Sequence, residues 1–112
     1  MNYNGKKFRP VSNTPNGTVT GETLFEYRQE DNLVWAEYSG GDIVFGHLIA
    51  RMAPDGSLDM RYHHLNRRQE LQTGICRSRP EILPDGRIRL YEQWQWTSGD
   101  QSSGASIVEE CH

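Results

Sequence analysis

The sequence predicts an all-β fold, an eight-stranded antiparallel barrel of up-and-down (meander) topology. Three observations predict it. Period-two alternation of apolar and polar residues recurs along the chain, and no window longer than about ten residues keeps the i, i+3, i+4, i+7 pattern of an amphipathic helix. Turn signals punctuate the chain at short, regular intervals: "QEDN" at 29–32, "SGGD" at 39–42, "PDG" at 54–56, "NRRQ" at 66–69, "PDG" at 84–86 and "SGDQSSG" at 98–104. Hydrophobic residues make up 35% of the 112, with a mean hydropathy of -0.78, which suits a sheet with one wet face. That length supports a single domain, 1–112, around one modest core.

The strands are expected at roughly 6–13, 18–29, 33–39, 43–53, 57–65, 70–83, 87–97 and 104–110. The first ends before Asn16-Gly17, a hairpin-type signal. In the second, Val19, Gly21, Thr23, Phe25 and Tyr27 form one face against Thr20, Glu22, Glu26 and Arg28, interrupted only by Leu24. In the third, Val34, Ala36 and Tyr38 oppose Leu33, Trp35 and Glu37, and Gly40-Gly41 supplies the positive φ angles of a tight loop. The fourth, "DIVFGHLIARMA", is apolar on both faces, and Gly46 suggests a bulge that switches parity.

The fifth strand sets Leu58, Met60, Tyr62 and His64 against Asp59, Arg61 and His63. For the sixth, the apolar residues select Leu71, Thr73, Ile75 and Arg77 as the inner face, against Gln72, Gly74 and Cys76. Pro80 cannot donate to a ladder, so a bend or bulge is expected there. The seventh carries Ile88, Leu90, Glu92, Trp94 and Trp96 on one face and Arg87, Arg89, Tyr91, Gln93 and Gln95 on the other. In "APDGS" and "LPDGR", proline presets the first turn position and glycine suits the left-handed one. Short sequential hairpins pair neighbours in order, and eight such strands close into a barrel that leaves no edge. A two-sheet β-sandwich is the alternative.

The predicted interior therefore holds Phe25, Tyr27, Tyr38, Tyr62, Trp94 and Trp96, with His64, Arg77 and Glu92 as its polar members. A barrel of this size is either filled or holds one small ligand, and so many rings leave a small cavity at most. An inward carboxylate costs several kcal/mol unless paired, hydrogen-bonded or protonated. Arg77 is the expected partner of Glu92, with Tyr38 or Tyr62 as hydroxyl donors. Three readings follow: a buried pair that sets register, a pair that contacts a ligand, or an outward Glu92 if the faces slip by one residue. The aromatic residues serve equally as a ligand-lining wall or as a stabilising core.

No metal site or cofactor is expected. His63 and His64 point to opposite faces of their strand, His47 and His112 have no partner at metal-site spacing, and no Cys-x-x-Cys occurs. Cys76 and Cys111 fall on strands six and eight, two spacings or about 9–10 Å apart, beyond disulfide reach. Arg89 and Tyr91 are similar to the carboxylate-gripping pair of intracellular lipid-binding barrels, but both face outward here. The net charge of -3 is spread along the chain, so nucleic acid is not an expected partner. No apolar run approaches the roughly 20 residues of a membrane span, and "MNYNGKKFRP" lacks the apolar core of a secretory signal. The expected location is cytoplasmic; Asn16-Gly17-Thr18 matches a glycosylation acceptor that such a location leaves unused.

The runs "GTVTGETLFEYRQEDNLVWAEYSGGDIVFGHLIA", "GICRSRPEILPDGRIRLYEQWQW" and "SGASIVEE" resemble a family of small bacterial proteins often labelled N-acetylglutamate synthase. The resemblance covers nearly the whole chain and implies a calycin-like barrel, similar in shape to lipocalins and avidins. It brings no catalytic residues. The labelled activity needs a seat for the pyrophosphate of coenzyme A, commonly a glycine-rich loop entering a helix N-terminus, and this sequence has no such unit. The leading functional expectation is a non-catalytic barrel that binds a small, partly apolar molecule, with Tyr27, Tyr38, Tyr62, His64, Arg77, Glu92, Trp94 and Trp96 as candidate contacts. The alternatives are a small enzyme of isomerase, cyclase or decarboxylase type using Glu92 or His64, a filled barrel that engages a protein through Trp35, and, by label alone, the synthase.

Overall fold

The computed structural model describes residues 1–111, which form eight strands: β1 (Lys7–Asn13), β2 (Leu24–Glu30), β3 (Leu33–Gly40), β4 (Ile43–Met52), β5 (Leu58–Asn66), β6 (Leu71–Ile82), β7 (Ile88–Trp96) and β8 (Ser103–Glu110). Consecutive strands pair antiparallel and β8 returns to β1, so the sheet closes into a barrel. No helix occurs among the described residues.

Turn chemistry sets the register. The β4–β5 and β6–β7 turns are built alike. Ala53 N–H donates to Ser57 O at 2.9 Å and Leu83 N–H to Arg87 O at 2.8 Å, while Gly56 and Gly86 take the left-handed φ values of 87° and 90°. In each, the backbone N–H after the glycine donates to the side chain of the preceding Asp, Asp55 or Asp85.

Four expectations need correction. First, β2 starts at Leu24, not at 18; residues 14–23 leave the sheet and fold over one mouth of the barrel. β1 and β2 consequently share only the Lys7↔Glu26 and Phe8↔Phe25 pairs. Second, the parity switch in β4 falls at Val44, where the register shifts between Ile43 and Phe45, and not at Gly46. Third, Pro80 causes no bulge: it pairs in register with Leu90, and β5 pairs with β6 only as far as Ser78. Fourth, the inner face of β6 is Gly74, Cys76 and Ser78; Leu71 is 77% exposed and Arg77 lies outside.

The β6 inversion has a steric cause. An added Cβ on Gly74 would overlap the Tyr62 hydroxyl, on Gly46 the Tyr38 ring, and on Gly104 the Trp94 ring. Three glycines thus make room for three aromatic side chains, and residues of small volume must occupy the inner positions opposite them.

The interior divides along the barrel axis. At one end Tyr3, Phe8 and Tyr27 cluster with ring centroids 4.9–6.4 Å apart, and Val34, Leu58, Ile88, Leu90 and Val108 fill the remaining space, each at most 2% exposed. Tyr3 reaches this plug from before β1, donating its hydroxyl to Gly56 O at 2.7 Å. The other end carries the polar residues.

Candidate functional site

The alternating inner face of β7 crosses both halves: Ile88 and Leu90 lie in the closed end, Trp94 and Trp96 in the open end, and Glu92 between them. A cavity of about 50 Å³ lies at the open end, beneath residues 17–19. On the same measure one water requires about 10–15 Å³, so the space suits a group of a few heavy atoms.

Its wall is a chain of aromatic contacts. Phe25 stacks on Tyr38 at 4.6 Å, Tyr38 meets His64 edge-on at 5.7 Å, His64 meets Trp96 at 5.7 Å, and Trp96 meets Trp94 at 5.4 Å. Tyr62 packs against both His64 and Trp96. The indole N–H of Trp94 donates to Asn13 Oδ1 at the end of β1 at 3.3 Å, and that of Trp96 donates to Asn16 O at 3.1 Å, which holds the covering segment.

Glu92 lines this cavity and is 9% exposed. Its partners stand directly across the two neighbouring strands. Ser106 on β8 donates to Oε1 at 2.8 Å, and Ser78 on β6 to Oε2 at 3.4 Å. Burial pushes the carboxyl up to about 7, against the smaller opposing pull of the Ser106 and Ser78 hydrogen bonds. The group therefore passes between neutral and charged near neutral pH. Arg77, the expected partner, is outside and plays no part in holding it.

His64 sits in a relay of neutral groups. Gln72 Oε1 accepts from Thr18 Oγ1 at 3.0 Å and lies 2.8 Å from His64 Nε2, which assigns the imidazole proton to Nε2. His64 Nδ1 then accepts from the Tyr38 hydroxyl at 2.9 Å. Burial lowers the His64 pKa, outweighing the Gln72 hydrogen bond that raises it, so the ring is neutral at pH 7. Through Thr18 this relay ties the covering segment to the wall.

Of the eight residues singled out from sequence, Tyr38, Tyr62, His64, Glu92, Trp94 and Trp96 come together around the cavity. Tyr27 faces inward but belongs to the closed-end cluster, and Arg77 faces solvent. Sequence reasoning missed Ser78, Cys76 and Ser106, the small inner residues beside Glu92; correct parity on β6 would have found the first two. Burial raises the pKa of the Cys76 thiol, and Glu92 adds to the effect, so the thiol is neutral and free of any disulfide. On the outer wall Arg89 pairs with Glu109 at 2.7 Å and Tyr91 donates to Glu81 at 2.9 Å. Trp35 is half-buried on the same outer wall, opposite Ile49. His47 and His63 face each other across β4 and β5 with rings 5.7 Å apart, but no three His, Cys, Asp or Glu side chains converge among the described residues. His112 lies outside the described residues.

The chain matches the model of a family described as avidin-like protein over residues 1–111, and it belongs to that family. No curated protein and no solved structure matches it.

Proposed function

We propose that this avidin-like barrel is a non-catalytic binder of one small, partly apolar molecule, held in the open-end cavity beneath residues 14–23. The observation that carries this reading is the contrast inside one barrel. The closed half is filled by apolar side chains, whereas the open half keeps a void between an aromatic wall and a carboxylate held only by two serines. Rings supply contact area, and Glu92 orients a polar group. A ligand larger than the cavity enters by displacing the covering segment, whose ties to the wall include the Thr18–Gln72, Val19–Asn13 and Asn16–Trp96 hydrogen bonds.

Trp94 and Trp96 report on the cavity, and the chain's third tryptophan, Trp35, lies outside. In a Trp35→Phe variant, saturable changes in tryptophan emission on titration with small aromatic and aliphatic compounds are expected. Native mass measurement of protein from its own host should show the same cavity carrying a retained molecule. No emission response across the compound set, with no retained mass, would falsify the reading.

A second reading, a small acid–base enzyme, draws on one observation: Glu92 titrates near neutral pH beside a cavity, as a general acid or base requires. His64 suits that role less, since both ring nitrogens are engaged. Glu92→Gln separates the two readings by turnover: an enzyme loses it, whereas a binder has none to lose and changes only in ligand affinity. N-acetylglutamate synthesis draws no support from this geometry, which offers coenzyme A no helix N-terminus among the described residues.

A further inference from the structure

We infer that the ligand of this cavity carries a positive charge, a small ammonium group seated against Glu92 and boxed by the faces of Tyr62, Trp94 and Trp96. The inference rests on reading the cavity as a binding site and adds the chemical class of what it binds.

Glu92 has no cation of its own. The buried polar and charged residues are Thr23, His64, Asn66, Ser78, Glu92 and Ser106, so no Lys or Arg is buried among the described residues. The titratable groups around the carboxylate are Tyr27 on β2, Tyr38 on β3, Tyr62 and His64 on β5, and Cys76 on β6. All are neutral at pH 7, by the raised tyrosine and thiol values and the lowered histidine value. β4 contributes only apolar inner residues, β1 contributes Phe8, Pro10 and the neutral amide of Asn13, and β8 contributes Ser106. An ionised carboxylate accepts about four hydrogen bonds; the two serines supply two.

Four of the donors nearest the cavity are committed elsewhere. The Tyr38 hydroxyl serves His64, the His64 Nε2–H serves Gln72, and both indole N–H groups serve Asn13 and Asn16. What the cavity offers a guest is a carboxylate set among aromatic rings. Those two features together select a cation: the ring faces attract it by their quadrupole, and the carboxylate attracts it by charge. An anion would meet a like charge in a weakly screened site. A neutral guest can at most add a hydrogen bond to the carboxylate and leaves its charge uncompensated whenever Glu92 is ionised. The volume, about 50 Å³, matches a compact ammonium head with a few carbons.

Cation binding by this route needs ionised Glu92, which titrates at about 7. Affinity should therefore rise with pH through neutrality, roughly tenfold between pH 6 and pH 8, and each binding event near pH 7 should release part of a proton. A neutral guest shows no such rise.

The test uses three probes of one shape, tert-butylammonium, tert-butanol and pivalate, titrated into the isotopically labelled full chain. The Trp94 and Trp96 indole N–H resonances are followed at pH 6 and pH 8. The expected result is ammonium binding at least tenfold tighter than alcohol binding at pH 8, a preference that shrinks about tenfold at pH 6 and disappears in Glu92→Gln. If that variant does not fold, the pH comparison on the unmodified chain decides alone. Equal binding of ammonium and alcohol, or preference for pivalate, overturns the charge assignment while leaving the cavity reading intact. Unmoved indole resonances with all three probes overturn both.

Discussion

The two ends of this barrel are made from the same strands and differ in what those strands point inward. At the closed end, Ile88 and Leu90 of β7 pack with Tyr3, Phe8, Tyr27, Val34, Leu58 and Val108 into a plug without charge. At the open end, Trp94 and Trp96 of the same strand stand with Tyr38, Tyr62 and His64 around a void, and Glu92 marks the boundary. Burial at the first end stabilises the fold at about 25 cal/mol per Å² of apolar surface removed from water. At the second, a carboxylate is kept in a setting that disfavours its charge. The apolar plug and the polar cavity are thus separated along one axis, within about four residues of β7.

The largest break in that comparison comes from the closed end. Leu90→Ala removes a fully buried side chain and should cost 2–5 kcal/mol, read as a drop in urea midpoint. Ligand-induced emission changes at Trp94 and Trp96 should survive in the fraction that remains folded. Equal loss of both would show that the two ends are not separable.

Glu92→Gln should act in the opposite direction. The folded carboxyl titrates at about 7, above its ordinary value of 4.5, so the native state holds its proton more tightly than the unfolded chain does. Its contribution to stability is full below about pH 4.5 and falls as pH rises through 7, by about 3 kcal/mol in all. The lowered carboxyls of Asp55, Asp59 and Asp100 titrate below that window, whereas His64, lowered from its ordinary value of 6.5, titrates inside it and adds stability as pH rises. Urea unfolding at pH 5 and pH 8 should show the unmodified chain losing stability relative to the glutamine variant across the interval, the His64 contribution being common to both. Parallel profiles in the two proteins would sink this account of Glu92.

Smaller effects sharpen the contrast at each end. Gly74→Ala places a methyl group against the Tyr62 hydroxyl and the Gln95 carbonyl and should cost about 1–3 kcal/mol. Displacement of Tyr62 would also alter the cavity, so weakened probe binding should accompany the lost stability. Tyr3→Phe deletes only the hydrogen bond to Gly56 O and should cost about 1 kcal/mol, with probe binding unchanged. Binding that fell with Tyr3→Phe would mean that the plug and the site communicate.

Much of the fold was legible in the residues. The two Pro-Asp-Gly turns, the Gly40-Gly41 loop and the inner faces of β3, β5 and β7 follow from turn chemistry and period-two alternation, both local properties. Glu92 on an inner aromatic face was legible for the same reason. The inner face of β6 was not. Leu71 and Ile75 outweigh Gly74, Cys76 and Ser78 in hydrophobicity, yet single apolar residues are tolerated in solvent, and the inner positions must be small to clear Tyr62 and hold Glu92.

By itself the sequence determined the meander, its register at the hairpins, and which side of β7 carries the carboxylate and the tryptophans. These depend on alternation and on residues that fit turn dihedrals, over spans of a few residues. Only the tertiary structure decided that serines rather than Arg77 hold Glu92, that residues 14–23 cover one mouth, and that Tyr3 plugs the other. Those outcomes depend on volume and hydrogen-bond partners across the barrel, between residues as distant as Trp94 and Gly104 on neighbouring strands or Tyr3 and Gly56 at one end. Close packing across the barrel chooses among faces that alternation alone leaves equivalent.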